Sequence, residues 1–312
     1  MASNAATPRA PLSGVFPVLP TPFDAQGQPD EPGLRRLVRY LLACGVDGIT
    51  YPGVASEVAQ LSSEERLRLT ALVIEEVGGQ VPVIVGASSP QVGVAVAHAR
   101  AAQAAGAQAV MIAVPADRPA VAEQIAYFEA IAQAVPGLDL MLQNVPPPAG
   151  AGLEAGAVLQ VLRAVPAIRY VKEETLPSGQ RLTQVLAQAP ASLAGVFGGA
   201  GGRYITDELR RGAAGTMPAI ELAEVHVALM HAHRAGDARE VRRLFTRMLP
   251  VLNVQAVFRW SLTKHVLRRR GLIAADLQRA SGPRLDDLDR ADVDAFVDDL
   301  RDLLLPDAAL PR

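Results

Sequence analysis

The chain has a single cysteine, Cys44, in 312 residues. It can form no internal disulfide, and a reducing cytoplasm is the expected setting. It has almost no net charge, −2 from 30 Lys and Arg against 32 Asp and Glu, which leaves no electrostatic case for a nucleic-acid partner. No apolar run reaches the roughly 18 residues of a membrane helix, so no membrane partner is expected. Residues 1–13 are rich in Ala, Pro and Ser without the apolar segment of a signal peptide, and read as a flexible tail. No Gly-x-Gly-x-x-Gly follows an early strand, which counts against a doubly wound dinucleotide fold. The five histidines fall on helical runs. His226, His231 and His233 share one helix with no cysteine or carboxylate to complete a ligand set, so they read as surface or interface residues and not as a metal site.

What is present is a repeat. A short apolar run, a loop, and a longer Ala/Leu/Arg-rich amphipathic run follow one another eight times. The apolar runs predict strands over 14–19, 47–51, 81–86, 109–114, 139–143, 168–172, 193–197 and 215–217. Helices are expected between them over 31–44, 62–77, 90–105, 120–135, 154–164, 180–189 and 203–211. Ser62 followed by Glu65 is a capping-box start. Eight strands alternating with helices predict a closed (β/α)8 TIM barrel over 14–218, with an open doubly wound sheet as the alternative. Beyond it the pattern stays helical over 219–235, 238–249, 251–270 and 285–305. Residues 219–312 therefore read as a helical bundle packed on the barrel. Arg268, Arg269 and Arg270 read as a helix C-terminus complementing its dipole.

In this architecture active sites gather where the strands end at their C-termini. Those ends present one lysine, Lys172, closing the sixth strand. An ammonium buried there is disfavoured by low dielectric, and a lysine with depressed pKa is the amine nucleophile that condenses with a carbonyl. A lysine that merely reaches water from a strand end is the alternative. Lys264, on a late helix outside the barrel, is a weaker competitor. The other ends carry Gly53-Val54-Ala55-Ser56-Glu57, Gln143-Asn144, the run Gly198 to Gly202, and Thr216. The glycine run could cradle an anion on backbone N–H groups, approach a substrate closely or make a tight turn. It lacks the Gly-Lys-Ser/Thr ending of a nucleotide loop.

Taken together, the opening 14–23, Gly48-Ile49 leading to Gly53 and Glu57, the run 82–86, Gln143-Asn144-Val145-Pro146 and Val171-Lys172-Glu173 resemble the dihydrodipicolinate synthase/N-acetylneuraminate lyase family of class I aldolases. The resemblance covers about 14–273. It implies a barrel with a C-terminal bundle, usually a homotetramer, and a Schiff base between Lys172 and a 2-oxo acid substrate, with no separate cofactor. It also implies that Gly53, Val54 and Ala55 hold the substrate carboxylate, with Asn144, Gly198, Gly199 and Thr216 as further substrate contacts.

The sequence departs from that pattern at informative places. Gln143 stands where the family usually has a proton-relaying tyrosine. Val54 and Ala55 replace its loop hydroxyls, Ala116 and Asp117 its tyrosine pair, and Pro147-Pro148 the region of its arginine. Gln143 and the pair Ser56-Glu57, with the late run Leu249-Pro250-Val251-Leu252-Asn253, resemble instead the 2-keto-3-deoxy sugar acid dehydratases of the family, especially the L-2-keto-3-deoxyarabonate type. The expected roles are Lys172 as nucleophile, Gln143 as a donor orienting the substrate, and Ser56 and Glu57 as candidates for the proton steps, Glu57 equally as a structural carboxylate. Tyr170 is expected to fill the barrel interior. An aldolase and a non-catalytic sugar-acid sensor are the alternatives.

Overall fold

A computed structural model describes residues 10–118 and 120–311. Eight parallel strands form one sheet: β1 (Gly14–Val15), β2 (Ile49–Thr50), β3 (Val83–Gly86), β4 (Ala109–Ala113), β5 (Asp139–Asn144), β6 (Ile168–Glu173), β7 (Gly195–Gly198) and β8 (Gly215–Thr216), in the order β1-β8-β7-β6-β5-β4-β3-β2. A parallel bridge between Val18, just beyond β1, and Thr50 of β2 closes the ring. The strand of each unit is followed by a helix: α1 (Glu31–Cys44), α2 (Ser63–Val77), α3 (Val92–Ala105), α4 (Val121–Ala134), α5 (Ala155–Ala164), α6 (Ser178–Ala187), α7 (Ile205–Arg210) and α8 (Ala223–Arg234). This is the TIM barrel expected from the alternating pattern.

Side-chain alternation along the strands sorts the chain into two cores. Phe16, Val18, Ile84, Met111, Met141, Tyr170, Phe197 and Met217 fill the barrel interior. Leu140, Leu142 and Val171, their neighbours along the strands, face the surrounding helices in the larger core. Tyr170 fills the interior as expected, edge-on to Phe197, with its hydroxyl accepting from the Leu12 N–H at 2.9 Å. Leu12 is thus tied to the barrel, which shortens the expected tail at its inner end; residues 1–9 lie outside the described residues.

Local signals explain the helix starts. The Ser62 hydroxyl accepts from the Glu65 N–H at 3.1 Å and the Glu65 carboxylate accepts from the Ser62 N–H at 2.8 Å, the reciprocal pair expected at the head of α2. Asp30 caps α1, which ends at Gly45 in the left-handed region.

The last stretch forms α9 (Ala238–Phe258), α10 (Trp260–Arg269) and α11 (Asp287–Asp298). The break falls elsewhere than the sequence suggests. Pro250 lies inside a continuous α9, and the chain turns instead at Arg259, at φ 36°. Arg270 meets Glu224 at 2.7 Å and Arg269 meets Asp298 at 2.8 Å, so the arginine run at the end of α10 binds neighbouring helices. His226 is buried and not a surface residue: its Nδ1 lies 2.9 Å from the Leu222 carbonyl, and burial pulls its pKa down to about 4. Among the described residues no group of His, Cys, Asp and Glu could hold a metal, and no helix is long and apolar enough to cross a membrane.

Candidate active site

Lys172 sits near the C-terminal end of β6, in register with Gln143 on β5 and Phe197 on β7. Tyr170 points into the barrel, and alternation puts Lys172 on the same face. The side chain is buried, 5 % exposed. Its ammonium lies 3.3 Å from Oε1 of Glu174, two residues on.

Glu174 is the hub of the site, and the sequence reading passed over it. Its Oε2 accepts from Gln143 Nε2 at 2.7 Å and its Oε1 from the Ala200 N–H at 3.1 Å. Burial pushes its carboxyl up. The Lys172 charge and the hydrogen bonds from Gln143 and Ala200 outweigh this and hold it below the ordinary carboxylate value. The anion cradled by the glycine run is therefore the chain's own carboxylate. A Cβ at Gly199 would lie 2.6 Å from Glu174 Cγ, so a bare glycine is what lets the carboxylate sit there. The signal that could have found Glu174 is its spacing: two residues beyond an inward-facing lysine is the next inward position of a strand.

The structure sorts the other expected residues. Gln143 and Gly199 are brought to Lys172 through Glu174, and the donor of Gln143 goes to that carboxylate. Gly53 and Val54 line a cavity of about 50 Å³ that also touches Gln143. Val54, Ala55 and Ser56 form a single 3-10 turn, in which the Ser56 N–H donates to the Gly53 carbonyl at 3.0 Å. Trp260 Nε1 pins this loop from the bundle by donating to the Val54 carbonyl at 2.8 Å.

Five other expected residues have partners or facings away from Lys172. The Ser56 hydroxyl donates to the Leu19 carbonyl and accepts from the Gly53 N–H at 2.8 Å, so it shapes the loop and has no proton to lend. Glu57 is the structural carboxylate of its two readings. It forms a fully buried ion pair with Lys264 and accepts from the Ala280 N–H at 2.6 Å. Asn144 faces outward from β5, bonded to Leu153 and to both oxygens of Glu173. Gly198 faces Glu208 on α7, and alternation turns Thr216 away from the interior that Met217 fills. Lys264 itself is held by Glu57 and the Leu277 carbonyl, over the Phe23 ring at 4.3 Å, which removes it as a rival nucleophile.

The site is thus a buried lysine at the C-terminal end of a closed parallel barrel, paired with one carboxylate and linked through Gln143 to a small cavity. Residues 11–298 match the Dihydrodipicolinate synthetase family, and the chain belongs to it. It is 28 % identical over 308 residues to an L-2-keto-3-deoxyarabonate dehydratase of Azospirillum brasilense, covering 97 % of this chain and 98 % of that protein. It is 31 % identical over 250 residues to a 4-hydroxy-tetrahydrodipicolinate synthase of an Acidovorax strain, covering 78 % and 82 %. Among solved structures it superimposes on dihydrodipicolinate synthase from Rhodopseudomonas palustris with a TM-score of 0.85 at 27 % identity, covering 92 % of this chain and 97 % of that one. A prophage protein of the family from E. coli K12, solved in complex with pyruvate, gives 0.86 at 25 % identity, covering 95 % and 100 %.

Proposed function

We propose that this lyase dehydrates a 2-keto-3-deoxy sugar acid through a Schiff base on Lys172. The amine adds to the C2 ketone and water leaves, giving an iminium that draws electrons from C3. A base then takes a C3 proton, the hydroxyl on C4 departs as water, and hydrolysis of the iminium returns the free lysine. The net change is loss of one water from C3 and C4. No separate cofactor is needed, since the iminium is the electron sink.

The observation that carries the reading is the Glu174 carboxylate 3.3 Å from the amine. C3 is bonded to the carbon that the amine attacks, so a carboxylate touching the amine is within reach of the C3 proton. Lys172 swings on its flexible stem from Glu174 into the cavity beside Gln143 as the ketone arrives, and Glu174 is left facing C3. The protonated Glu174 can then return its proton to the departing hydroxyl. Carbon–carbon scission would need a base on the C4 hydroxyl instead. At the position where the family has a tyrosine stands an amide that cannot titrate, and its donor is held by Glu174. The substrate carboxylate docks on the backbone N–H groups of Val54 and Ala55.

Similarity to a 4-hydroxy-tetrahydrodipicolinate synthase favours an aldolase as the second reading. Incubation with a set of 2-keto-3-deoxy sugar acids, quantifying dehydrated product and pyruvate in the same samples, separates the two. Dehydrated product should dominate; pyruvate with an aldehyde as the main products would overturn the proposal. Homo-oligomeric assembly, a tetramer in the first instance, is part of the same proposal, tested by light scattering.

A further inference from the structure

Arg66, on α2, is a half-buried charge with a buried Nε that the reaction above does not use. Its terminal nitrogens donate to two carbonyls, Gly86 at 3.2 Å and Ser88 at 3.4 Å, and its Nε has no partner among the described residues. Three other withdrawn arginines of this chain face a carboxylate: Arg181 meets Glu154 at 3.0 Å, Arg270 meets Glu224 at 2.7 Å and Arg279 meets Glu65 at 2.8 Å. Glu65, beside Arg66 in sequence, is thus taken by Arg279. Nothing negative replaces it: the nearby His98 is held neutral, down to about 4, by its burial and by the Arg66 charge. Burial likewise pulls the Arg66 guanidinium below its ordinary value. A buried cation without a counter-ion is costly, and the cost is relieved by an anionic or polar oxygen that enters beside it.

Arg66 also lines the cavity, together with Gly53, Ser88, Met111 and Gln143. Gln143 joins this cavity to Glu174 and hence to Lys172. A 2-oxo acid held covalently by the lysine would extend past Gln143 towards the guanidinium. We infer that Arg66 is a specificity residue that grips an oxygen at the end of the substrate remote from the keto carbon. A guanidinium fork serves a terminal carboxylate or a hydroxyl, the carboxylate more strongly. This inference rests on the Schiff-base reading of Lys172 but not on the choice of dehydration.

The test uses borohydride trapping of three five-carbon acids: 2-oxopentanoate, 5-hydroxy-2-oxopentanoate and 2-oxoglutarate. The readout is the concentration dependence of adduct formation on Lys172, followed by mass. A hydrogen bond to a charged group stabilises by about 1.5–3 kcal/mol, so the native protein should prefer one or both oxygenated acids over 2-oxopentanoate by about 10–100-fold. Preference for 2-oxoglutarate identifies a dicarboxylate substrate; preference for the hydroxy acid identifies a sugar-acid terminus. In Arg66→Gln the ratio should collapse towards one, and Arg66→Lys should keep part of it. The ratio is independent of how much protein is folded, so partial unfolding of a variant cannot mimic the result. Equal trapping of the three acids by the native protein, or an unchanged ratio in Arg66→Gln, overturns the inference. Absence of any adduct overturns the lysine reading beneath it and this inference with it.

Discussion

Replacing Glu174 by Gln keeps the volume and removes the charge, and its consequences can be worked from three distances. The carboxylate lies 3.3 Å from Lys172 Nζ and accepts from Gln143 at 2.7 Å and Ala200 at 3.1 Å. At an effective dielectric of 20, two unit charges 3.3 Å apart attract by about 5 kcal/mol, before the cost of desolvating them. The glutamine oxygen can still accept from Ala200, while its NH₂ meets the NH₂ of Gln143 unless that amide flips. The loop therefore stays in place and the amine is released from its partner. If Glu174 is the C3 base, kcat should fall about 10²–10⁴-fold, or ~3–5 kcal/mol of barrier, while trapping of pyruvate on Lys172 by borohydride persists. The assay is paired: steady-state turnover of a keto-deoxy acid and adduct formation on the same preparation. Turnover within about tenfold of the native enzyme would place the base elsewhere, since general-base loss costs at least 10²-fold. Equal loss of turnover and trapping would make Glu174 a residue that holds the lysine and not one that moves a proton.

Two further predictions concern stability. Lys264→Met leaves Glu57 buried without its partner and should cost about 3–5 kcal/mol, and adding Glu57→Gln should recover much of it; thermal unfolding of both variants checks this. Glu221 is wholly buried, and that burial raises its carboxyl to about 7 against 4.5 for the ordinary group, despite the Thr263 hydroxyl that donates to it at 2.9 Å. A raised acid holds its proton in the fold, so its favourable contribution is complete below about pH 4.5 and is lost as pH rises through about 7. Glu221→Gln should accordingly gain stability over the native protein above pH 7, by about 3 kcal/mol, and gain least near pH 4.5; denaturant melts at both pH values test the sign.

Much of the fold was legible because barrel physics writes itself locally. A strand buried on both faces is a continuous apolar run, and a helix start such as Ser62 with Glu65 needs only four residues to declare itself. Pro250 misled because a proline's cost to a helix can be met by packing, and α9 runs through it with Val251 and Leu252 buried. The lysine was legible from strand position and family pattern together. Its partners were not, because which way a polar side chain turns is settled by atoms distant in sequence. Glu57 is claimed by Lys264, 207 residues away, and Ser56 by the Leu19 carbonyl. Asn144 follows from period two: an inward Gln143 forces it outward. Glu174 could have been found by the same rule applied two residues past Lys172. Arg66 carried no local signal, since only the folded β3 end shows its guanidinium beside the cavity.

The proposed chemistry requires one covalent bond, between Lys172 and a 2-oxo acid. Incubation of the native protein with pyruvate and borohydride, followed by proteolysis and mass measurement of the peptide spanning Lys172, tests it most directly. A reduced pyruvyl adduct on Lys172, absent from Lys172→Ala, is the predicted result. An unmodified Lys172 peptide, or the adduct on another lysine such as Lys264, would contradict it.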